Sequence, residues 1–330
     1  MNGTLSSNST SHAQFGGTIN IASIVLGFVI VVLNARAVVT IGRTRALKTT
    51  SNIYVASLAV TDVMVGSMLF VMKLVEHLGY CEWLDDNKLA SVGAFCLTLT
   101  AYMASTLTTV AIAVDRYAYI SWPNFYKSNV TPRRVVLSML PVWTVSFGLA
   151  VLMTALKSAG QGQGQGCPRS VPGKESVYVV SPVYVISCVI SGTMYARISR
   201  VALRHRKAIA AATPAAPIST REEQGPSAPS SQQQFAQRIR GMKMFLVVFG
   251  AFFVCYTPYM VVHALHRLVI PVHSTVYNIC LFLLAFNSFL NVPIFLSLNA
   301  EFREAFGPAC FRSHRLNQTR ARDGDVTDAA

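Results

Sequence analysis

A chain of 330 residues that is 52% apolar and only 13% charged has too little polar surface to cover a water-exposed globule, so its natural solvent is lipid. A formal charge of +14 raises the question of a nucleic-acid partner. Attraction of basic loops to an anionic inner leaflet accounts for that excess, and no nucleic acid is expected.

Apolar stretches recur at about 18–42, 53–75, 89–119, 134–156, 176–201, 241–266 and 273–298. Each is long enough for the roughly 20 residues a helix needs to cross a bilayer. Their length and near-lack of charge favour helices over barrel strands, because a helix satisfies its own backbone hydrogen bonds in hydrocarbon. The predicted fold class is an all-α membrane protein, a seven-transmembrane-helix bundle with a short amphipathic eighth helix. Residues 1–17 are expected to form an extracellular tail, 18–298 the seven-helix domain and 299–330 a cytoplasmic tail.

Most of the 28 Lys and Arg fall in 43–52, 116–134, 197–243 and 303–322. Lys88, Lys157, Arg169, Lys174 and Arg267 lie on the other side, and Arg36 and Lys73 fall inside spans. This asymmetry predicts a multi-pass plasma-membrane protein with its N-terminus outside. The first residues lack a charged start followed by an apolar core, so no cleavable signal peptide is expected. Asn2 and Asn8 head glycosylation triplets on the predicted outside, whereas Asn129 and Asn317 fall inside.

Along the loops, residues 160–166 alternate Gly and Gln and predict a mobile outer loop. Residues 208–236, rich in Ala, Pro, Ser and Gln, predict a disordered inner loop with basic flanks that anchor to membrane lipid. Beyond the seventh span, Asn299 to Phe306 reads as an amphipathic helix lying on the inner leaflet, with Phe302 and Phe306 on one face. Cys310 follows it, placed either for a palmitoyl chain or as a free thiol.

Polar groups at membrane depth are costly, so each marks a candidate site. Asp62, midway along the second span, is the costliest. It reads as a hydrogen-bond hub, a proton site or an ion ligand, with Asn34, Ser105, Asn287, Ser288 and Asn291 at similar depth offering oxygen ligands to a small hard cation.

Asn34, the run from Asn52 to Asp62, Asp115-Arg116-Tyr117, Trp143, Cys255-Tyr256-Thr257-Pro258, Asn287-Ser288 and Asn291-Val292-Pro293-Ile294-Phe295 occur in that order, with Tyr195 in the fifth span. Together they resemble the motifs of rhodopsin-like, class A G protein-coupled receptors. No nucleophile, metal cluster or phosphate loop stands out in the sequence, so no enzyme activity and no resident cofactor are expected. The resemblance implies a function: an extracellular ligand activates a heterotrimeric G protein. Asp62, Ser105, Asn287, Ser288 and Asn291 match the family's allosteric sodium site, and Arg116 matches the arginine that meets the G protein. Asp115, Tyr117, Tyr195, Asn291, Pro293 and Phe295 complete the activation set. Arg116 also reads as a plain ion pair with Asp115. Pro258 removes a helical hydrogen bond and provides a pivot in the sixth span.

Several positions depart from the family pattern. Tyr256 stands where Trp is usual, Pro293 is displaced by one, Phe295 replaces a Tyr, and Ser187 replaces a Pro. Arg238 occupies a place where many members carry an acid that locks Arg116, so raised basal signalling is expected. Asn124 replaces the apolar residue that inserts into the G protein, which argues for weaker coupling. Ser91 stands where the third span usually carries a bridged cysteine. Cys167 then has Cys81 as a replacement partner, with Cys96 the other candidate, provided the Cα atoms come within about 7 Å.

Helical spacing from the motif residues turns Lys73, Glu76, Thr98, Tyr102, Tyr259, His263 and Tyr277 inward as ligand-binding candidates. Lys73 and Glu76 also read as a pair across one helical turn. Amine receptors of the family carry an aspartate at the position of Thr98, so a non-amine ligand is expected. Ala285, where opsins carry a lysine, argues against a photoreceptor. The short termini and atypical fifth span are similar to the branch holding melanocortin, lysolipid, cannabinoid and adenosine receptors. The alternatives are a receptor-like protein with weak or no coupling and an ion-coupled transporter, the latter usually built from repeats that are not visible here.

Overall fold

The computed structural model describes the backbone of residues 3–159, 175–212 and 231–307, and the side chains of 17–84, 86–156, 176–204 and 242–307. Ten α-helices follow in order: α1 (Gly3–Arg43), α2 (Thr50–His77), α3 (Cys81–Asp86), α4 (Lys88–Ser121), α5 (Pro123–Asn129), α6 (Pro132–Ala159), α7 (Glu175–Ala212), α8 (Ser231–Leu268), α9 (Ser274–Leu298) and α10 (Ala300–Phe306). Seven of them, α1, α2, α4, α6, α7, α8 and α9, are long and apolar enough to cross a membrane. Among the described residues there is no strand.

Local sequence sets the ends. The Thr49 side chain accepts from the Asn52 amide at 3.3 Å to start α2, and Asn87 accepts from Ala90 at 3.2 Å to start α4. Pro123 opens α5 and Pro132 opens α6, where a missing N–H costs nothing. Gly79, at φ 77°, turns the chain after α2 in a conformation that side chains resist. Asn52 then donates to the Leu47 carbonyl at 2.9 Å and fixes the 3-10 turn, Arg45–Leu47, between α1 and α2.

Large apolar side chains such as Phe28, Phe147 and Val254 point outward, while Asn34, Thr61, Asp62, Ser105 and Asn291 are buried. That inversion suits a hydrocarbon solvent. α4 is central and packs on α2, α6, α7 and α8. α1 and α2 approach through glycine: a Cβ at Gly27 would stand 2.7 Å from the Phe70 nitrogen, and one at Gly66 2.7 Å from Ile30 Cγ2.

The structure adds to three expectations. α1 runs back to Gly3, so helical backbone enters the stretch expected as a tail. α7 continues to Ala212 and α8 begins at Ser231, so both ends of the inner loop expected at 208–236 are helical. Alanine-rich sequence at one end and Gln-rich sequence at the other propagate helix readily once a span has nucleated it. α10 turns its apolar face to the bundle: Phe302 packs edge-on against Phe295 at 6.0 Å, and Arg36 donates to the Phe306 carbonyl at 2.5 Å from above its ring. That contact also explains a charge inside the first span.

Candidate functional site

Three polar constellations lie along the bundle. Asp62 has no exposed surface. Its Oδ2 accepts from Asn291 Nδ2 at 2.8 Å, which ties α2 to α9. Asn34 donates to the carbonyls of Ile30 at 3.0 Å and Ser288 at 3.1 Å, which ties α1 to α9. Asp62 Oδ1, Ser105 Oγ, Asn287 Oδ1 and Asn291 Oδ1 are buried with no hydrogen-bond partner among the described residues. Oxygen atoms left in that state around a carboxylate are the donor set a small hard cation takes, so the residues fit the ion expected from sequence. Thr108 Oγ1 is orphaned as well and was missed, because a threonine one turn from Ser105 reads as ordinary helix packing.

At the end where α4 closes, Arg116 and Asp115 are buried and paired: Nε donates to Asp115 Oδ2 at 3.0 Å and Nη2 approaches the same oxygen. Nη2 also donates to Ser51 Oγ at 2.5 Å. The Tyr126 hydroxyl donates to Asp115 Oδ1 at 2.9 Å, so α5 is held to the pair. Arg116 further lies over the rings of Phe245, at 4.9 Å, and Tyr119, at 5.3 Å. Tyr117 is outside this network and packs on Trp122 at 5.3 Å. Tyr195 is buried against Phe249, and Pro258 and Pro293 sit inside α8 and α9. Asn124 is exposed, but so is Phe125 beside it, at 59%, which supplies an apolar side chain the single-position comparison overlooked.

Toward the Cys81 end a cavity of about 290 Å³ opens between the helices. All seven side chains singled out from spacing line it: Lys73, Glu76, Thr98, Tyr102, Tyr259, His263 and Tyr277. The His263 ring faces Ser176 Oγ at 2.8 Å and the Tyr277 hydroxyl at 3.1 Å, and Tyr259 stacks on it at 5.4 Å. Thr98 donates to the Ala94 carbonyl at 2.7 Å, so its hydroxyl proton is engaged within its own helix. Tyr256, at the position where the family has Trp, forms part of the lining and stacks on Tyr184 at 6.2 Å, and Tyr184 OH meets Thr257 Oγ1 at 2.6 Å. Ser176 and Tyr184 were missed because α7 lacks the family proline that would have set its register.

The profile of the family described as "7 transmembrane receptor (rhodopsin family)" matches residues 33–295. The chain belongs to that family. It is a class A G protein-coupled receptor, a multi-pass membrane protein and not an enzyme. The receptor is similar to the histamine H2 receptor of Cavia porcellus, 25% identical over 97% of this chain and 88% of that one. It is also similar to a D(1)-like dopamine receptor of Oreochromis mossambicus, 28% identical over 83% and 73%. An alpha-1A adrenergic receptor of Oryzias latipes is 24% identical over 94% and 72%. None of these three lies in the melanocortin, lysolipid, cannabinoid and adenosine branch, so that leaning gains no support from them.

In the receptor, Cys81 is disulfide-bonded and Cys96 carries a free thiol, which removes Cys96 as a bridging candidate. Cys167, the glycosylation candidates Asn2 and Asn8, and the lipidation candidate Cys310 lie outside the residues whose side chains are described. Arg238 does too.

Proposed function

We propose that the receptor turns its Cys81 end to the cell exterior at the plasma membrane, takes a small ligand other than a simple amine into the cavity, and relays that occupancy to a heterotrimeric G protein at its Arg116 end. A ligand that binds one conformation better than the other shifts the equilibrium between them, and no bond chemistry is needed. The observation that carries the ligand class is the charge of the cavity wall. Glu76 is the one acid among the lining residues, and Lys73 already holds it at 2.8 Å. A lone ammonium ion could reach Glu76 only beside the repelling charge of Lys73, in an otherwise mostly apolar space, which is costly.

Between the two ends, Asp62, Ser105, Asn287, Ser288 and Asn291 would hold a sodium ion, whose charge offsets that of the carboxylate when bound. Arg116, freed from Asp115 and Ser51 as α8 pivots near Pro258, is the group offered to the G protein. Phe125 adds apolar surface at the same face.

A second reading has one argument in its favour: relatives named for histamine and dopamine span most of this chain. Dose series of both amines on cells expressing the receptor decide between the two. Neither is expected to activate it, and G protein activation by either at low micromolar concentration overturns the non-amine reading.

A further inference from the structure

One wall of the cavity carries two opposite charges side by side, and the geometry leaves both of them able to act. Lys73 and Glu76 sit three residues apart on α2, with Nζ 2.8 Å from Oε2. Asn20 of α1 bridges them, donating to Glu76 Oε1 at 2.9 Å and accepting from Lys73 Nζ at 3.2 Å. The pair is therefore oriented by a neutral side chain from a second helix. Lys73 and Glu76 both line the cavity and remain 22% and 29% exposed. Two of the three ammonium donors are engaged, and each carboxylate oxygen keeps a lone pair, so both groups have capacity for a ligand.

We infer that the cavity is built for a small zwitterion of the amino-acid type, whose carboxylate meets Lys73 and whose ammonium meets Glu76, with an apolar body filling the rest. A lone cation at this station would satisfy Glu76 and be repelled by Lys73, and a lone anion would suffer the reverse. A dipolar head satisfies both at once, which is how complementary charge selects among partners. The body is set by Met68, Met72, Leu281 and Phe282, which offer the head no competing charge. The cavity volume, at the low end for small-molecule sites, suits a body of about one ring. This inference rests on the cavity being the ligand site.

Three probes that share a phenyl body and differ only in the head provide the test: L-phenylalanine, phenethylamine and hydrocinnamate. Direct binding to the purified full-length receptor in lipid nanodiscs is measured, which does not depend on signalling. L-phenylalanine is expected to bind at least about tenfold more tightly than either monoion, an advantage that charge pairing of this kind supplies. Lys73→Met is expected to shift the preference to phenethylamine, and Glu76→Gln to hydrocinnamate. The exchange of Lys73→Glu with Glu76→Lys keeps a dyad and is expected to keep the zwitterion preference, which decides the matter if either single variant fails to fold. Binding of none of the three, equal binding of phenethylamine, or an unchanged order in the variants overturns the inference. Should that happen while Arg116-dependent G protein activation persists, the receptor reading stands and only the ligand class falls.

Discussion

The guanidinium of Arg116 lies 4.9 Å from the ring centre of Phe245, so a cation–π contact joins the third span to the sixth. Phe245 is buried, and the contact is desolvated. Such contacts are worth about 0.5–2 kcal/mol, enough to bias a two-state equilibrium several-fold. We propose that it helps restrain the resting state, in place of an acid at the position of Arg238. Phe245→Leu keeps an apolar side chain and removes the ring face. Basal nucleotide exchange is expected to rise several-fold, and an unchanged basal rate in that variant would remove the contact from the resting state's restraints.

Tyr126 holds the same centre from the other side, donating to Asp115 Oδ1 and sitting 3.2 Å from Thr50 Oγ1. Burial pushes its phenol up to about 12, so the hydroxyl stays a donor at every physiological pH. A raised folded-state value leaves the contribution intact below the ordinary phenol range near 10 and removes it as pH climbs through the folded value. Tyr126→Phe is expected to raise basal activity by the same factor at pH of about 6 and about 9, since this group does not titrate there. A ratio that changes across that window would assign the effect to another group.

Asp62 makes a salt-specific prediction. Replacing choline chloride with sodium chloride at equal ionic strength is expected to raise the melting temperature of the receptor, because a bound cation stabilises the state that binds it. Asp62→Asn is expected to abolish that difference while leaving the fold intact, since Asn291 can still bond the amide. Equal sodium dependence in both proteins would show that the orphaned oxygens serve another purpose.

The close approach of α1 and α2 is tested at Gly27. A Cβ there would meet backbone atoms of Phe70 at 2.7 Å and Gly66 at 2.9 Å, which cannot move as a flexible side chain would. Gly27→Ala is expected to cost about 1–3 kcal/mol, read as lower thermal stability and surface expression. Gly148→Ala, with nothing within 4 Å, is the matched control and is expected to be neutral or slightly stabilising.

Most of this architecture was legible because lipid imposes strict rules on sequence. Spans announce themselves by length, and the observed seventh span, Ser274–Leu298, lies within a residue of the apolar run at 273–298. The seven cavity residues were legible for a related reason: once Asp62 and Arg116 fix the rotation of α2 and α4, the helical period assigns Lys73 and Thr98 to the interior. The short helices α3 and α5 were not, since six or seven residues carry too few periods to stand out from a loop. Nor were the contacts that depend on tertiary approach. Arg36 looked like an anomaly inside a span until α10 placed the Phe306 carbonyl beside it, and the bridge from Asn20 to Lys73 and Glu76 joins residues more than fifty apart. Phe125 was not legible because the family pattern places its apolar residue at Asn124, whereas α5 leaves both neighbours exposed.

The central claim is that the buried Arg116 is the group through which this receptor activates a G protein. Guanine-nucleotide exchange, recorded across a panel of G protein subtypes with the intact receptor, Phe245→Leu and Phe245→Leu combined with Arg116→Ala, tests it most directly. The account predicts measurable exchange for the first, more for the second and loss to background for the third at equal surface expression. Exchange that persists undiminished without the Arg116 side chain would contradict it.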